Sequence, residues 1–211
     1  RYWHTTGTVG TFGAAAAASV ILGLNATETA HALANSATFS AGLKRAFLAD
    51  SMSKPLHAAH AAESGLTAAL AAAKGVTGTL EVLDAAGGFG DAMGDAPDWE
   101  AAFADLGKAY TITRMTTKNH GCCGHTFAAI DTALDIQNQH DLAPADIIRI
   151  SAGSYSNAVD VTGNPNPHTE YEGKFSLPYC VSTALVHGSV RMDSFTEERL
   201  NDPETRRLMG T

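Results

Sequence analysis

Small and apolar residues recur at helical spacing through the first half of the chain. Residues 13–24 are rich in alanine and predict a helix, and Gly23 and Asn25 suit its end. Thr27 is predicted to cap a second helix, whose apolar positions continue through residues 31–47. The pattern therefore predicts a first part built from helices.

The strongest helical pattern covers residues 56–74. Ser53 can cap this helix, and Pro55 falls in its first turn, where proline is tolerated. A stripe of small residues on one face, Ala58, Ala61, Gly65 and Ala69, would let another helix approach closely.

The period changes near residue 108. Residues 109–115 and 147–155 are rich in β-branched and aromatic residues and predict strands. Helices are predicted at 126–140 and from Ser176–Pro178 onward. We therefore expect a mostly α protein with an α+β second domain, divided into residues 1–107 and 108–211.

Composition narrows the classes of function. The chain has 211 residues, 45% hydrophobic and 17% charged, which is typical of globular proteins. Its net charge of −8 argues against a nucleic-acid partner, and no apolar run predicts a membrane span. The odd number of cysteines, two of them adjacent, implies no disulfide framework and favours a reducing, cytoplasm-like compartment.

The start of the 56–74 helix carries a first group of candidate site residues. Lys54, His57 and His60 lie at a helix N-terminus, where the partial positive charge would favour a carboxylate. A metal site would need a third ligand, for which Glu63 is the local candidate. The alternative is a capped, alanine-packed helix whose histidines make ordinary hydrogen bonds.

A second candidate group opens the chain. His4, Thr5 and Thr6 place an imidazole and two hydroxyls beside Gly7, a combination that could form a carboxylate pocket. Histidine and threonine at a helix start are also common as simple caps.

The segment TKNHGCCGHTF, residues 117–127, has the residue types of metal and nucleophile sites. Cys122 and Cys123 are adjacent, so their side chains diverge, and no second ligand pair supports a zinc site. A C-x-x-C redox pair is absent, whereas a cysteine nucleophile activated by His125 or a helix start stays open. Lys118, at a predicted strand end, is the other candidate.

Four blocks together resemble the MmgE/PrpD family, which includes 2-methylcitrate dehydratase and cis-aconitate decarboxylase. The blocks are WHTTGTVGTFGAAAAASVILGL, SMSKPLHAAHAAESGLTAALAA, KNHGCCGHTFAAIDTALDI and KFSLPYCVSTALVHG. The resemblance covers nearly the whole chain. It implies an all-helical domain with an α+β lid, and a homodimeric lyase that acts on small di- or tricarboxylic acids without a cofactor or metal.

The same resemblance implies roles for individual residues. His4 carries over as an active-site histidine, and Lys54 and Lys118 as the lysines that face substrate carboxylates. Substrate-binding candidates around them are Thr5, Thr6, His57, Cys122, Cys123 and His125. Dehydration of a 2-methylcitrate-like acid is the leading expectation, with decarboxylation of a cis-aconitate-like acid or epimerisation of a dicarboxylic acid as alternatives.

The ends of the chain suggest an internal portion of a longer protein, since it starts at Arg1 and stops directly after a helical pattern. The resemblance implies that further catalytic residues of the family, an Asp and a His, would precede Arg1. A metal-binding module built on His120, Cys122, Cys123 and His125, or an inactive fragment, are the alternatives of another class.

Overall fold

The computed structural model describes residues 2–47 and 50–210, without the side chain of Phe47. The prediction that Phe47 is an apolar helix position therefore concerns a side chain outside the described part of the structure. The chain divides into two compact units, Arg1–Thr113 and Arg114–Thr211, whereas the sequence predicted a boundary at residues 107/108.

Three long helices, α1 to α3, form the body of the first unit and pack against one another. Two short helices, α4 and α5, follow them, and a 3₁₀ turn at Lys44–Phe47 lies between α2 and α3. The α-helices are α1 (Thr5–Leu22), α2 (Ala26–Phe39), α3 (Ser53–Ala72), α4 (Phe89–Met93) and α5 (Trp99–Phe103).

Small side chains make the close packing of these helices possible. Ala15 on α1, Ala32 on α2 and Ala68 on α3 are fully buried. A Cβ added to Gly65 of α3 would lie 2.5 Å from the Cβ of Ala14. The predicted small-residue stripe on α3 therefore does face a neighbouring helix.

The helix ends follow the expected chemistry at Gly23 but differ from the prediction at three other places. The N-cap of α3 is Met52, with the predicted cap Ser53 as the first helical residue, and α2 ends at Phe39 instead of continuing to residue 47. Gly23 ends α1 in the left-handed conformation, with φ of 67°. The N-cap of α2 is Asn25 and not Thr27 as predicted, because Asn25 and Glu28 form a reciprocal capping box. Thr27 lies inside the helix.

The second unit is also helical and is centred on the buried helix α9. Its α-helices are α6 (Phe127–His140), α7 (Ser156–Thr162), α8 (Glu170–Lys174), α9 (Leu177–His187), α10 (Glu197–Leu200) and α11 (Pro203–Met209). The hydroxyl of Ser176 accepts a hydrogen bond from the Tyr179 amide, which confirms the predicted start of α9. Tyr179 and Cys180 of α9 are fully buried, and they pack with Ile130 and Phe195 in the core.

The two predicted strands do not form within the described residues. Thr111–Arg114 is a 3₁₀ turn, and residues 147–155 belong to no helix or strand. Pairing across the described chain is limited to isolated bridges such as Gly163 with Ser176. The helical part of the predicted fold is thus confirmed, whereas the α+β character of the second domain is not shown.

Helix α1 has another property of composition. Among the described residues, it alone has the length and mean hydropathy of a membrane-crossing helix, and a third of it is buried inside the protein. Core helices of soluble proteins and signal sequences share this composition.

Candidate active site

His4 is held in place by backbone pairing with the connection between α2 and α3. Its amide donates to the carbonyl of Gly42 at 3.0 Å, and the amide of Lys44 donates to the carbonyl of Tyr2 at 2.7 Å. His4 therefore lies directly before α1 and beside the residues that lead into α3.

Two glycines allow this close approach. A Cβ on Gly7 would lie 2.2 Å from the carbonyl oxygen of Ala41. Gly42 has φ of 117°, and a Cβ there would meet the ring of His57 at 3.3 Å. The backbone is thus brought near the His57 ring at a position where only glycine fits without strain.

The rings of His4 and His57 are in direct contact. Their Nδ1 atoms lie 2.8 Å apart, so one ring donates a hydrogen bond and the other accepts it. In the neutral pair, the donor ring has an unprotonated Nε2 and the acceptor ring has an Nε2–H. The pair can therefore offer one base and one proton donor at the same time.

The pKa of His4 is lowered below its usual value. Burial is the main cause, followed by the charges of His57, Lys54 and Lys44. His4 is therefore mainly neutral near pH 7, which is the form that accepts a proton.

These residues form a local cationic group in an acidic protein. Lys54 lies in the first turn of α3, one turn before His57, and Lys44 lies in the 3₁₀ turn that precedes it. Positive groups that surround two histidines would hold a substrate carboxylate. Thr5 and Thr6 lie exposed in the first turn of α1, next to His4.

His60, from the same sequence block, has a structural role. Its Nε2 lies 3.0 Å from the carbonyl oxygen of Phe39 at the end of α2, and the hydroxyl of Ser64 lies within 3.4 Å of the ring. His60 is therefore an ordinary hydrogen-bonded histidine, as the alternative interpretation of this helix expected.

Lys118 lies in the second unit, on the exposed segment that leads to the cysteines. Its ammonium donates to the carbonyl of Cys122 at 3.3 Å. The amide of Cys123 donates to the carbonyl of Lys174 at 2.9 Å, which holds the loop against α8. Lys118 is thus bound to a well-anchored turn.

The cysteine side chains are buried. Cys122 and Cys123 are 5% and 8% exposed, and Cys180 of α9 is fully buried. A hydrogen bond with Cys180 lowers the pKa of Cys122, whereas the same bond and burial raise the pKa of Cys180. The thiol of Cys122 also lies 3.1 Å from the hydroxyl of Thr126. The contacts of Cys122 and Cys180 are with the core, and contact of Cys122 or Cys123 with substrate stays a prediction.

The two histidines of the segment have separate partners. The Nε2 of His120 lies 2.8 Å from a carboxylate oxygen of Asp131 on α6, while its Nδ1 is buried without a partner among the described residues. His125 forms a short hydrogen bond to the hydroxyl of Tyr155. Within residues 2–47 and 50–210, no group of three His, Cys, Asp or Glu side chains is arranged to hold a metal ion.

The contacts that sequence reasoning missed connect residues far apart in the chain. His4 and His57 are 53 residues apart, and no local pattern predicts that their rings meet. Lys44 was not singled out, because its proximity to His4 depends on the pairing of residues 2–4 with 42–44. The partnership of His125 with Tyr155 was missed for the same reason.

Comparison with known proteins gives matches over most of the chain. The model of the MmgE/PrpD N-terminal domain matches residues 1–102, and that of the MmgE/PrpD C-terminal domain matches residues 120–211. The two matched regions lie on either side of the division between the units.

Similar proteins include cis-aconitate decarboxylases. The human enzyme is 32% identical over 215 residues, covering 100% of this chain and 44% of the human protein. The mouse enzyme is 30% identical, covering 99% of this chain and 43% of its own length. A cis-aconitate decarboxylase-like protein, oryM, from Aspergillus oryzae is also 30% identical, and 45% of it is covered.

The chain therefore spans less than half the length of the curated relatives it matches. The two domain matches together cover well over half of its residues, in the order in which the sequence blocks occur. On these grounds the chain belongs to the MmgE/PrpD family.

Proposed function

We propose that the protein is a lyase that acts on a small tricarboxylic acid, and that the reaction is a decarboxylation of the cis-aconitate type. The observation that carries the proposal is the contact between His4 and His57 within reach of the charges of Lys54 and Lys44. The similarity to cis-aconitate decarboxylases favours this reaction over the dehydration expected from the sequence blocks.

The chemistry requires a place for charge and a source of protons. When a carboxylate on a saturated carbon next to a carbon–carbon double bond leaves as carbon dioxide, the electron pair of the broken C–C bond spreads over the double bond. A lysine that faces a remaining carboxylate stabilises this negative charge. A histidine N–H then delivers a proton to one of these carbons, which regains its fourth bond.

The histidine pair suits that proton transfer. The neutral pair has one Nε2–H and one unprotonated Nε2, so it can give a proton at one ring and recover one at the other. Dehydration of a 2-methylcitrate-like acid would use the same groups in another order, with proton removal from carbon before loss of hydroxide as water. Product analysis therefore has to separate the two reactions.

We propose further that the enzyme needs no metal or cofactor and works as a homodimer in a reducing, cytoplasm-like compartment. Three free, buried thiols support the compartment. Apolar side chains exposed along α1 and α3, including Ile21 and Leu66, support association with another protein surface. Elemental analysis and analytical ultracentrifugation of the full-length protein test the metal-free and dimer proposals.

The test of the reaction is product analysis by NMR in deuterated water with cis-aconitate, 2-methylcitrate and a chiral dicarboxylic acid. The proposal predicts carbon dioxide release and one deuterium on carbon with cis-aconitate. Conversion of 2-methylcitrate to an alkene without release of carbon dioxide would show that the enzyme is a dehydratase and not a decarboxylase. Deuterium incorporation with an unchanged formula would show epimerisation.

A further inference from the structure

A cavity of about 870 Å³ lies within the second unit, between α6, α9 and residues 147–155. Cavities of roughly 300–1,000 Å³ are typical of sites for small organic ligands. None of its lining residues was assigned to catalysis, and one of them, His125, was a candidate for substrate binding.

The floor of the cavity is apolar. It is formed by side chains that also pack against the core of the unit, namely Ala129, Ala133, Ile147, Ile150, Val181 and Leu185. A ligand that covers this floor gains the free energy of removing apolar surface from water.

The outer wall is the segment 147–155, which lies outside any helix, and it is held at both ends. The guanidinium of Arg207 donates to the carbonyls of Pro144 and Ile147, at 2.7 and 3.4 Å. At the other end, Tyr155 is hydrogen-bonded to His125. The wall is therefore fixed to the unit on either side of the cavity.

The polar groups of the wall are available to a ligand. Residues 148–154 make no backbone–backbone hydrogen bond in the described structure. Arg149 lines the cavity from an exposed position, and its guanidinium has no hydrogen bond or ion pair within the described part of the chain. The lining contains no Asp or Glu, so nothing in the cavity neutralises Arg149.

This pattern of charge selects a class of ligand. Arginine binds carboxylates strongly, and it is the one permanently charged side chain in the lining. The lining offers no second permanent cation to the two further carboxylates of a tricarboxylic acid, and burying them without such a partner is costly. We propose that this cavity of the second unit binds a monocarboxylate with an apolar body, such as a medium-chain fatty acid.

The test is calorimetric titration of the purified protein with decanoate. We expect saturable binding of one decanoate per chain, weakened about tenfold in Arg149→Gln because a charge-assisted hydrogen bond is lost. Arg114→Gln is the matched control: it removes an exposed arginine that does not line the cavity, and it should bind decanoate normally.

A second variant tests the cavity itself. Ala128 lines it from an exposed position on α6, so Ala128→Trp should obstruct the cavity and abolish binding while circular dichroism shows an intact helix content. Equal binding of decanol and decanoate would overturn the role of Arg149. Binding that does not saturate, or that survives both Arg149→Gln and Ala128→Trp, would overturn the site.

Discussion

At the scale of single residues, the pair of His4 and His57 sets the chemistry of the candidate site. Two imidazoles joined through their Nδ1 atoms cannot both be positively charged while that hydrogen bond persists, because one of the two nitrogens must accept. Protonation of both rings would therefore break this contact.

The lowered pKa of His4 predicts a pH dependence of stability. The unfolded chain binds a proton at His4 as pH falls through 6.5, whereas the folded chain resists it until a lower pH. The free energy of unfolding should therefore fall as pH drops below about 6.5. Urea unfolding at pH 8 and at pH 5.5 measures this change.

His187 contributes to the same change and must be separated from His4. Its pKa is also lowered, by burial first and then by the guanidinium of Arg199. His4→Asn should remove one part of the pH dependence and leave the His187 part. A pH dependence identical in His4→Asn and the unaltered protein would show that His4 does not titrate as described.

Lys118 gives a second prediction at this scale. If its ammonium faces a substrate carboxylate, Lys118→Ala in the full-length protein should lower kcat/KM by about a hundredfold or more, with the fold intact. Lys108→Ala removes another exposed lysine, whose ammonium bonds the carbonyl of Ala104, and is the matched control. Equal activity of the two variants would contradict a substrate role for Lys118.

At the scale of elements, the packing of α1 on α3 positions His4 and His57. Both residues lie at the starts of these helices, so the distance between their rings depends on how closely the helices approach. Gly65 of α3 packs directly against α1, where an added Cβ would lie 2.6 Å from the amide nitrogen of Ala15.

Gly65→Ala should therefore destabilise the protein. The added methyl group has to push α1 and α3 apart, which typically costs about 1–3 kcal/mol and outweighs the helix propensity gained. Gly13→Ala on α1 is the control, because its Cβ would meet nothing within 4 Å and alanine favours a helix. In denaturant unfolding, the free energy of unfolding should be higher for Gly13→Ala and lower for Gly65→Ala than for the unaltered protein. The reverse order would contradict the packing of α1 against α3.

The elements also show how far the sequence could predict the fold. The long helices could be predicted from the alanine-rich segments, because the spacing of small residues along a helix is a local property of the sequence. The pattern of residues 147–155 predicted a strand, but a strand also needs a partner, and the segment belongs to no helix or strand. Among the described residues none pairs with it, and pairing is a long-range property that one segment's composition does not contain.

At the scale of the whole molecule, the two units match the two domains of one family in sequence order. Sequence blocks could predict the membership, because those blocks are local, whereas the roles of His4, Lys54 and Lys118 stay predictions. The blocks could not predict that Lys44 acts on His4, or that the rings of His4 and His57 touch, because these contacts depend on tertiary packing.

The cationic group around His4 stands out against the overall charge. With a net charge of −8, the chain as a whole does not attract an anionic acid, so binding must depend on a few local cations. Lys54 is central to this group, since it lies one helical turn from His57 and its charge also lowers the pKa of His4.

Turnover of cis-aconitate by Lys54→Ala, beside Lys74→Ala, tests this account most directly. Lys74 follows the same helix at its other end and is exposed, so its loss removes the same charge away from the histidines. In the full-length protein we expect Lys54→Ala to lower kcat by about a hundredfold or more and Lys74→Ala to retain normal turnover. Near-normal turnover in Lys54→Ala would contradict the assignment of the active site.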